Sequence, residues 1–274
     1  MVDRVDPRPI GVFDSGVGGL TVLSELRRRL PGESTVYLGD NARAPYGPRG
    51  ADEVRAFTLE CVGWLLGQQI KLLLLACNTA SSQALPQVRE RSSVPVLGVV
   101  RPGAVAAAAA TRSAHVGVIA TAGTVSSGAY PAAIGEADPR VRVSQQACPS
   151  LVPLVEAGEL DGPIAQREVA GYLRPLLADD PLIDTLLLGC THYPLLRSVI
   201  RDVVGPGVAV VDSAFTTAVA AEDLLDALMA RAPGGQPARH RVATTGDVAA
   251  FTAVAERIFG ERLPVIEAAT LRPD

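Results

Sequence analysis

Four consecutive leucines, Leu72–Leu75, constrain this chain more than any other stretch. A strand with one face in water alternates apolar and polar residues. An unbroken apolar run needs cover on both faces, which is the setting of a parallel strand between two helix layers. The pattern returns at 186–188, inside TLLLGC. Further short apolar runs fall at 9–13, 35–38, 95–99, 116–120, 141–144, 184–188, 208–211 and 240–244, and the leucines themselves sit in a run at 70–76. Between them, Thr21–Leu30, Asp52–Gln68, Ser82–Arg91 and Ala218–Arg231 read as amphipathic helices. Strands alternating with helices predict an α/β fold with mostly parallel sheets.

A weak internal repeat is visible. IGVFDSG at 10–16 aligns with VGVIATA at 116–122, and LLLLACNTASS aligns with TLLLGCTHYPL, in the same order and at nearly equal offsets. This favours two similar α/β halves. The Pro- and Gly-rich stretch 230–240 reads as a loop. RVATTGDVAAFTAVAERIFG then reads as a strand, a Gly-Asp cap and a helix ending at Gly260, completing one of the two sheets.

Hydrophobic residues make up 48% of the 274 and charged residues 20%, enough for a buried core and against disorder. The net charge is −4, no Lys/Arg block stands out, and Lys71 is the only lysine. Nucleic acid is therefore not the expected partner, since a phosphate backbone calls for a basic face. The longest apolar tracts, 94–100 and 104–110, are too short to span a bilayer, so no membrane is expected. The first residues lack the apolar core of a signal peptide, and a cytoplasmic protein is the expectation. In that compartment Cys61, Cys77, Cys148 and Cys190 are expected to be thiols.

In open α/β sheets ligands bind beyond the carboxyl ends of strands. Every notable polar cluster lies at such an end: Asp14-Ser15, Cys77-Asn78-Thr79, Thr121 with Thr124, and Cys190-Thr191-His192. Several precede a helix, where free N–H groups favour a carboxylate. If the halves face each other, two cysteines flank one small molecule. Two opposed thiols suggest proton transfer on both faces of a carbon, with Asp14 and His192 as relays. The bland alternative is that each is a small buried hydrophobe. Cys61 and Cys148 read that way, and His115 and His240 as ordinary surface or edge residues. Cys77, Cys190, His192 and Asp14 are zinc-type ligands, but without C-x-x-C or H-E-x-x-H no metal is expected. DSGVGGLT lacks the Lys-Ser/Thr of a P-loop and has Thr21 where a dinucleotide fingerprint needs glycine, so tight strand-to-helix packing is its expected role. DNARAPYG, 40–47, reads as a lid or pocket wall, with a Pro-Tyr-Gly turn without chemistry as the bland alternative.

Taken together, IGVFDSGVGGLTV, YLGDNARAPYG, ACNTAS, GVIATAGTVSSGAY, LVPLVEAGEL and LLLGCTHYPLL resemble the glutamate racemase family of cofactor-independent amino-acid racemases. The likeness runs from residue 10 to about 196, and the C-terminal TTGD fits it. It implies interconversion of L- and D-glutamate for peptidoglycan, with neither pyridoxal phosphate nor a metal. It implies two three-layer α/β domains, 1–99 completed by 212–274 and 100–211, with the active site in the cleft between them. By position Cys77 and Cys190 match the two acid/base thiols, Asp14 and His192 the groups assisting them, and Glu156 the support of that histidine. Ser15, Tyr46, Gly47, Asn78, Thr79, Thr121, Thr124 and Thr191 match positions lining the glutamate site, with Asp14 and His192. A homodimer is the expected assembly. Contact with DNA gyrase enters by family resemblance alone. Two rivals stand beside this expectation, an aspartate racemase and a small-molecule binding protein without turnover. No cation for the substrate's side-chain carboxylate is evident, since Arg43 and Arg101 are near only in motif terms.

Overall fold

The computed structural model describes residues 5–235, 237–259 and 265–271. The chain opens with β1 (Ile10–Asp14), α1 (Leu20–Arg29), β2 (Thr35–Gly39), α2 (Ala51–Leu66), β3 (Leu72–Leu75), α3 (Asn78–Arg91) and β4 (Val96–Gly98). It continues with α4 (Val100–Ala110), β5 (His115–Ala120), α5 (Ala122–Ser126), α6 (Ala129–Ala137), β6 (Arg142–Ala147), α7 (Leu151–Glu156) and α8 (Gly162–Asp179). Then come β7 (Thr185–Gly189), a 3₁₀ turn (Tyr193–Leu196), α9 (Arg197–Val204) and β8 (Ala209–Asp212). The last elements are α10 (Ser213–Ala227), β9 (His240–Thr244), α11 (Val248–Phe259) and β10 (Ile266–Ala268). The expected helix end at Gly260 lies outside the described residues. Its expected cap is present: the Asp247 carboxylate accepts the Ala250 N–H at 2.7 Å.

The strands form two sheets, ordered β10-β9-β2-β1-β3-β4 and β6-β5-β7-β8. Every pairing in them is parallel. Within each sheet the first strand of the repeat has the second on one side and the third on the other. Chain order therefore reverses between β1 and β3, and again between β5 and β7, the topological switch points where α/β sheets bind ligands. Register sharpens this. Phe13 pairs with Leu75 and Ala120 with Gly189, so the residues next after these strands emerge side by side.

Leu72–Leu75 is buried throughout, and its side chains divide between two cores. Leu72 and Leu74 pack with Ile10, Val12 and the residues of α1, whereas Leu73 and Leu75 pack with Phe13, Val54 and Leu65. Helices on both faces thus account for the unbroken apolar run. The first of these cores also takes Leu186 and Leu188 of β7, so a single apolar cluster joins the sheets. Among the described residues no helix is long and apolar enough to cross a membrane.

At the amino ends of β1 and β3 lies a buried charge. Lys71, the only lysine of the sequence, donates to the carbonyls of Asp6 at 2.8 Å and Ala230 at 2.7 Å. Its ammonium pairs with Glu33 at 2.6 Å, and both side chains are almost wholly buried.

Candidate active site

The two cysteines arrive at the cleft by the same local route. A buried strand ends, the chain turns, and the thiol sits at the mouth of the next turn. Cys77 caps α3 from an extended backbone, and its sulfur accepts the Ala80 N–H at 3.4 Å. The Ser15 hydroxyl, at the end of β1, stands 3.4 Å from the same sulfur. Cys190 follows β7 directly, with its sulfur 3.9 Å from Nδ1 of His192. Nε2 of His192 is 3.0 Å from Oε1 of Glu156, at the end of α7. Both sulfurs and both supporting groups line one narrow cleft with about 400 Å³ of free space, counting its open mouth.

Burial is the dominant electrostatic fact. It pushes Cys77 up to about 12, and the nearby Asp14 adds to the rise, so Cys77 rests as a thiol at neutral pH. Burial pulls His192 the other way, but its contacts with Cys190 and Glu156 outweigh that and leave it at about 10. His192 is therefore an imidazolium, and its ring stands 3.9 Å from the Cys190 sulfur. Asp14 is fully buried and its carboxyl is raised by that burial. Its oxygens accept the Gly16 N–H at 3.0 Å and the Thr191 hydroxyl at 3.5 Å. Asp14 thus reaches the turn of the second thiol, and Ser15 holds the direct contact with the first.

The hydroxyls form a second cluster. Thr79 lies 2.9 Å from Thr121 and 3.3 Å from Thr124, and Thr121 caps α5 by accepting the Thr124 N–H. Asn78, Thr79, Thr121 and Thr191 line the cleft, and Thr124 supports them from behind. The stretch DNARAPYG supplies a wall, with Ala44, Pro45, Tyr46 and Gly47 facing the same space. Tyr46 donates to the buried Asp40 at 2.5 Å.

Among the described residues lining the cleft, none is Arg or Lys. Arg43 is engaged by Asp40 at 2.7 Å and Glu60 at 2.5 Å and lies over the Phe57 ring. Arg101 lines a separate hollow with Arg89 and Phe215. Among the described residues no group of three or more His, Cys, Asp and Glu side chains is placed to hold a metal. Cys61 and Cys148 are buried free thiols away from the cleft lining. His115 is not a plain edge residue: its Nδ1 contacts Asp180 at 2.9 Å, at the far end of β5.

Several supporting groups escaped the sequence reading. Gly16 and Val152 line the cleft. Gln83 donates to the Gly123 carbonyl at 2.9 Å, and the Gly123 N–H donates to the Gly47 carbonyl at 2.8 Å, so the two walls are clasped. Thr21 adds a tie by donating to the Thr191 carbonyl at 2.9 Å. Gly18 is required by close approach. A Cβ there would collide with Nδ1 of His192 and stand 2.5 Å from the Thr191 hydroxyl. The only signal for this was the glycine-rich turn itself.

Comparison with known proteins places this geometry in context. The family model described as Asp/Glu/hydantoin racemase matches residues 10–221. A glutamate racemase from Oceanobacillus iheyensis is 48% identical over 254 residues, 93% of this chain and 92% of that protein. The crystal structure of a glutamate racemase isoform from Bacillus anthracis superposes with a TM-score of 0.90 at 43% identity, covering 97% of each chain. A glutamate racemase from Francisella tularensis, solved in complex with D-glutamate, gives 0.88 at 31% identity, covering 97% of this chain and 98% of that one.

Proposed function

The chain belongs to the Asp/Glu/hydantoin racemase family, and from that premise we propose that it interconverts L- and D-glutamate by two-base proton transfer between Cys77 and Cys190. The observation that carries this is the pair of thiols at equivalent strand ends, lining one cleft, each with its own polar support. The choice of glutamate follows relatives that carry that activity over nearly their whole length. D-Glutamate for peptidoglycan is the role consistent with the family.

The chemical difficulty is the weak acidity of a carbon-bound hydrogen beside a carboxylate. Neutral donors have to stabilise the charge that builds on that carboxylate as the proton leaves. Asn78, Thr79 and Thr191, with the free N–H groups at the start of α3, take this part. With neither Arg nor Lys in the lining, hydroxyl, amide and backbone donors must hold both substrate carboxylates.

The thiols start in unlike states. Cys77 is held protonated by burial and is the proton donor of the resting site. Cys190, beside the His192 imidazolium, is the base. For one enantiomer Cys190 removes the proton and Cys77 delivers another to the opposite face. This leaves the thiols exchanged, ready for the reverse direction. Glu156 orients His192, Asp14 and Ser15 tune the first thiol, and Ser15, Tyr46, Gly47 and Thr121 hold the substrate, with Asp14 and Thr124 supporting them from behind. No further reactant is needed, because the substrate's proton is replaced by one from a thiol.

The units proposed to close on the substrate are 1–99 with 212–274, and 100–211. The working form is proposed to be a cytoplasmic homodimer, and a contact with DNA gyrase rests on family resemblance alone.

Racemisation in deuterium oxide tests the reading. With two distinct bases the product enantiomer gains solvent deuterium while unreacted substrate stays unlabelled early in the reaction. Early labelling of both enantiomers points to a single base and sinks the two-thiol assignment. Parallel assays with aspartate decide between the two acidic substrates.

A further inference from the structure

Tyr130 on α6 is fully buried yet carries a hydroxyl, so that hydroxyl needs a partner. The partner is Asn78: the phenol donates to its Oδ1 at 2.6 Å. Ser213, the first residue of α10, stands 3.4 Å from Nδ2 of the same amide. The tyrosine ring lies against Gly189, where a Cβ would come 2.8 Å from Cε2. Gly189 precedes Cys190 and Asn78 follows Cys77. One side chain therefore touches the turn of each thiol.

An asparagine amide has an acceptor end and a donor end of nearly equal shape, and only its partners decide which way it points. A separation of 2.6 Å suits an O–H···O bond and falls below the N–H···O range. The oxygen of Asn78 is thereby held on Tyr130. Its two N–H groups are left for Ser213 and for the cleft that Asn78 lines. Burial raises the phenol well above its ordinary value, so it remains a donor at any pH where the enzyme works.

We propose that Tyr130 is a positioning residue for racemisation: it turns the Asn78 amide with its N–H groups toward the substrate carboxylate and holds the Cys190 turn in register with the Cys77 turn. The inference rests on the racemase reading of the cleft, and it adds a residue that touches neither substrate nor thiol.

Tyr130→Phe tests it, because the ring stays and only the donor is lost. Two quantities are read, the equilibrium Kd for D-glutamate in a Cys190→Ser background that does not racemise it, and kcat/KM for racemisation in the enzyme with both thiols. Both are expected to worsen about tenfold, the scale of one lost buried hydrogen bond. The same substitution is then made in Asn78→Ala. That background has no amide to orient, so Tyr130→Phe should change Kd and kcat/KM less than twofold there. A loss carried undiminished into that background would show that the phenol acts on something other than the Asn78 amide and would overturn the proposal. So would a Tyr130→Phe enzyme whose Kd and kcat/KM stay within twofold of the parent. Turnover by the parent enzyme tests the cleft reading separately, since binding of D-glutamate is read without chemistry.

Discussion

His192 illustrates how one residue can set the working range of a site. It is buried, which alone would keep it neutral, yet contacts at both ring nitrogens hold it at about 10. Its cation stands 3.9 Å from the sulfur of Cys190, the proposed base, and that positive charge is present below about pH 10 and lost above it. kcat/KM is therefore expected to fall as pH rises through about 10. Glu156 is one cause of the raised value, so Glu156→Gln should move that alkaline limb to lower pH. A pH profile of both enzymes checks this, and an unmoved limb would remove Glu156 from the role.

Among elements, the turn between β1 and α1 shows what glycine does near reacting groups. Gly18 lies so close to His192 and Thr191 that no side chain fits between them. Gly18→Ala is expected to lower kcat/KM about 100-fold while the chain still folds, because a displacement of about 1 Å at the reacting groups has that effect. Steady-state kinetics beside a thermal unfolding curve separates the two outcomes. The same scale shows where a sequence is legible. Leu72–Leu75 and 186–188 declared buried parallel strands because both faces had to be apolar. β10 is three residues long, too short to carry a period. α4 reads VRPGAVAAAAA, whose alanines mark no face. β6 reads RVSQQA and is largely half-buried at its sheet's edge, so its polar character hid its reach to Ala147. The thiols and their neighbours were legible because each stands at the end of an apolar run. Tyr130, Ser213 and Gln83 were not, since their bonds join residues 52, 135 and 40 positions apart.

At the scale of the whole molecule, two switch points face one cleft and are tied by Thr21 to Thr191, Gly123 to Gly47 and Gln83 to Gly123. The opposite end of the larger sheet is tied differently, by the Lys71 ammonium. It draws together the segment before β1, the start of β3, Glu33 and the chain after α10. Lys71→Met would leave the Glu33 carboxylate buried without its partner. It is expected to cost about 3–5 kcal/mol of stability, measured by denaturant unfolding, because breaking a buried pair strands a charge. A near-neutral result would show that Glu33 finds water or a proton instead. Lys71 has one more consequence, which follows from its being alone of its kind in the sequence. Protein grown on nitrogen-15 lysine carries that isotope at a single residue, so its spectrum has one ammonium signal and one amide signal to assign. Both report from the floor of the molecule, far from the thiols, and would reveal whether closing the cleft is felt there.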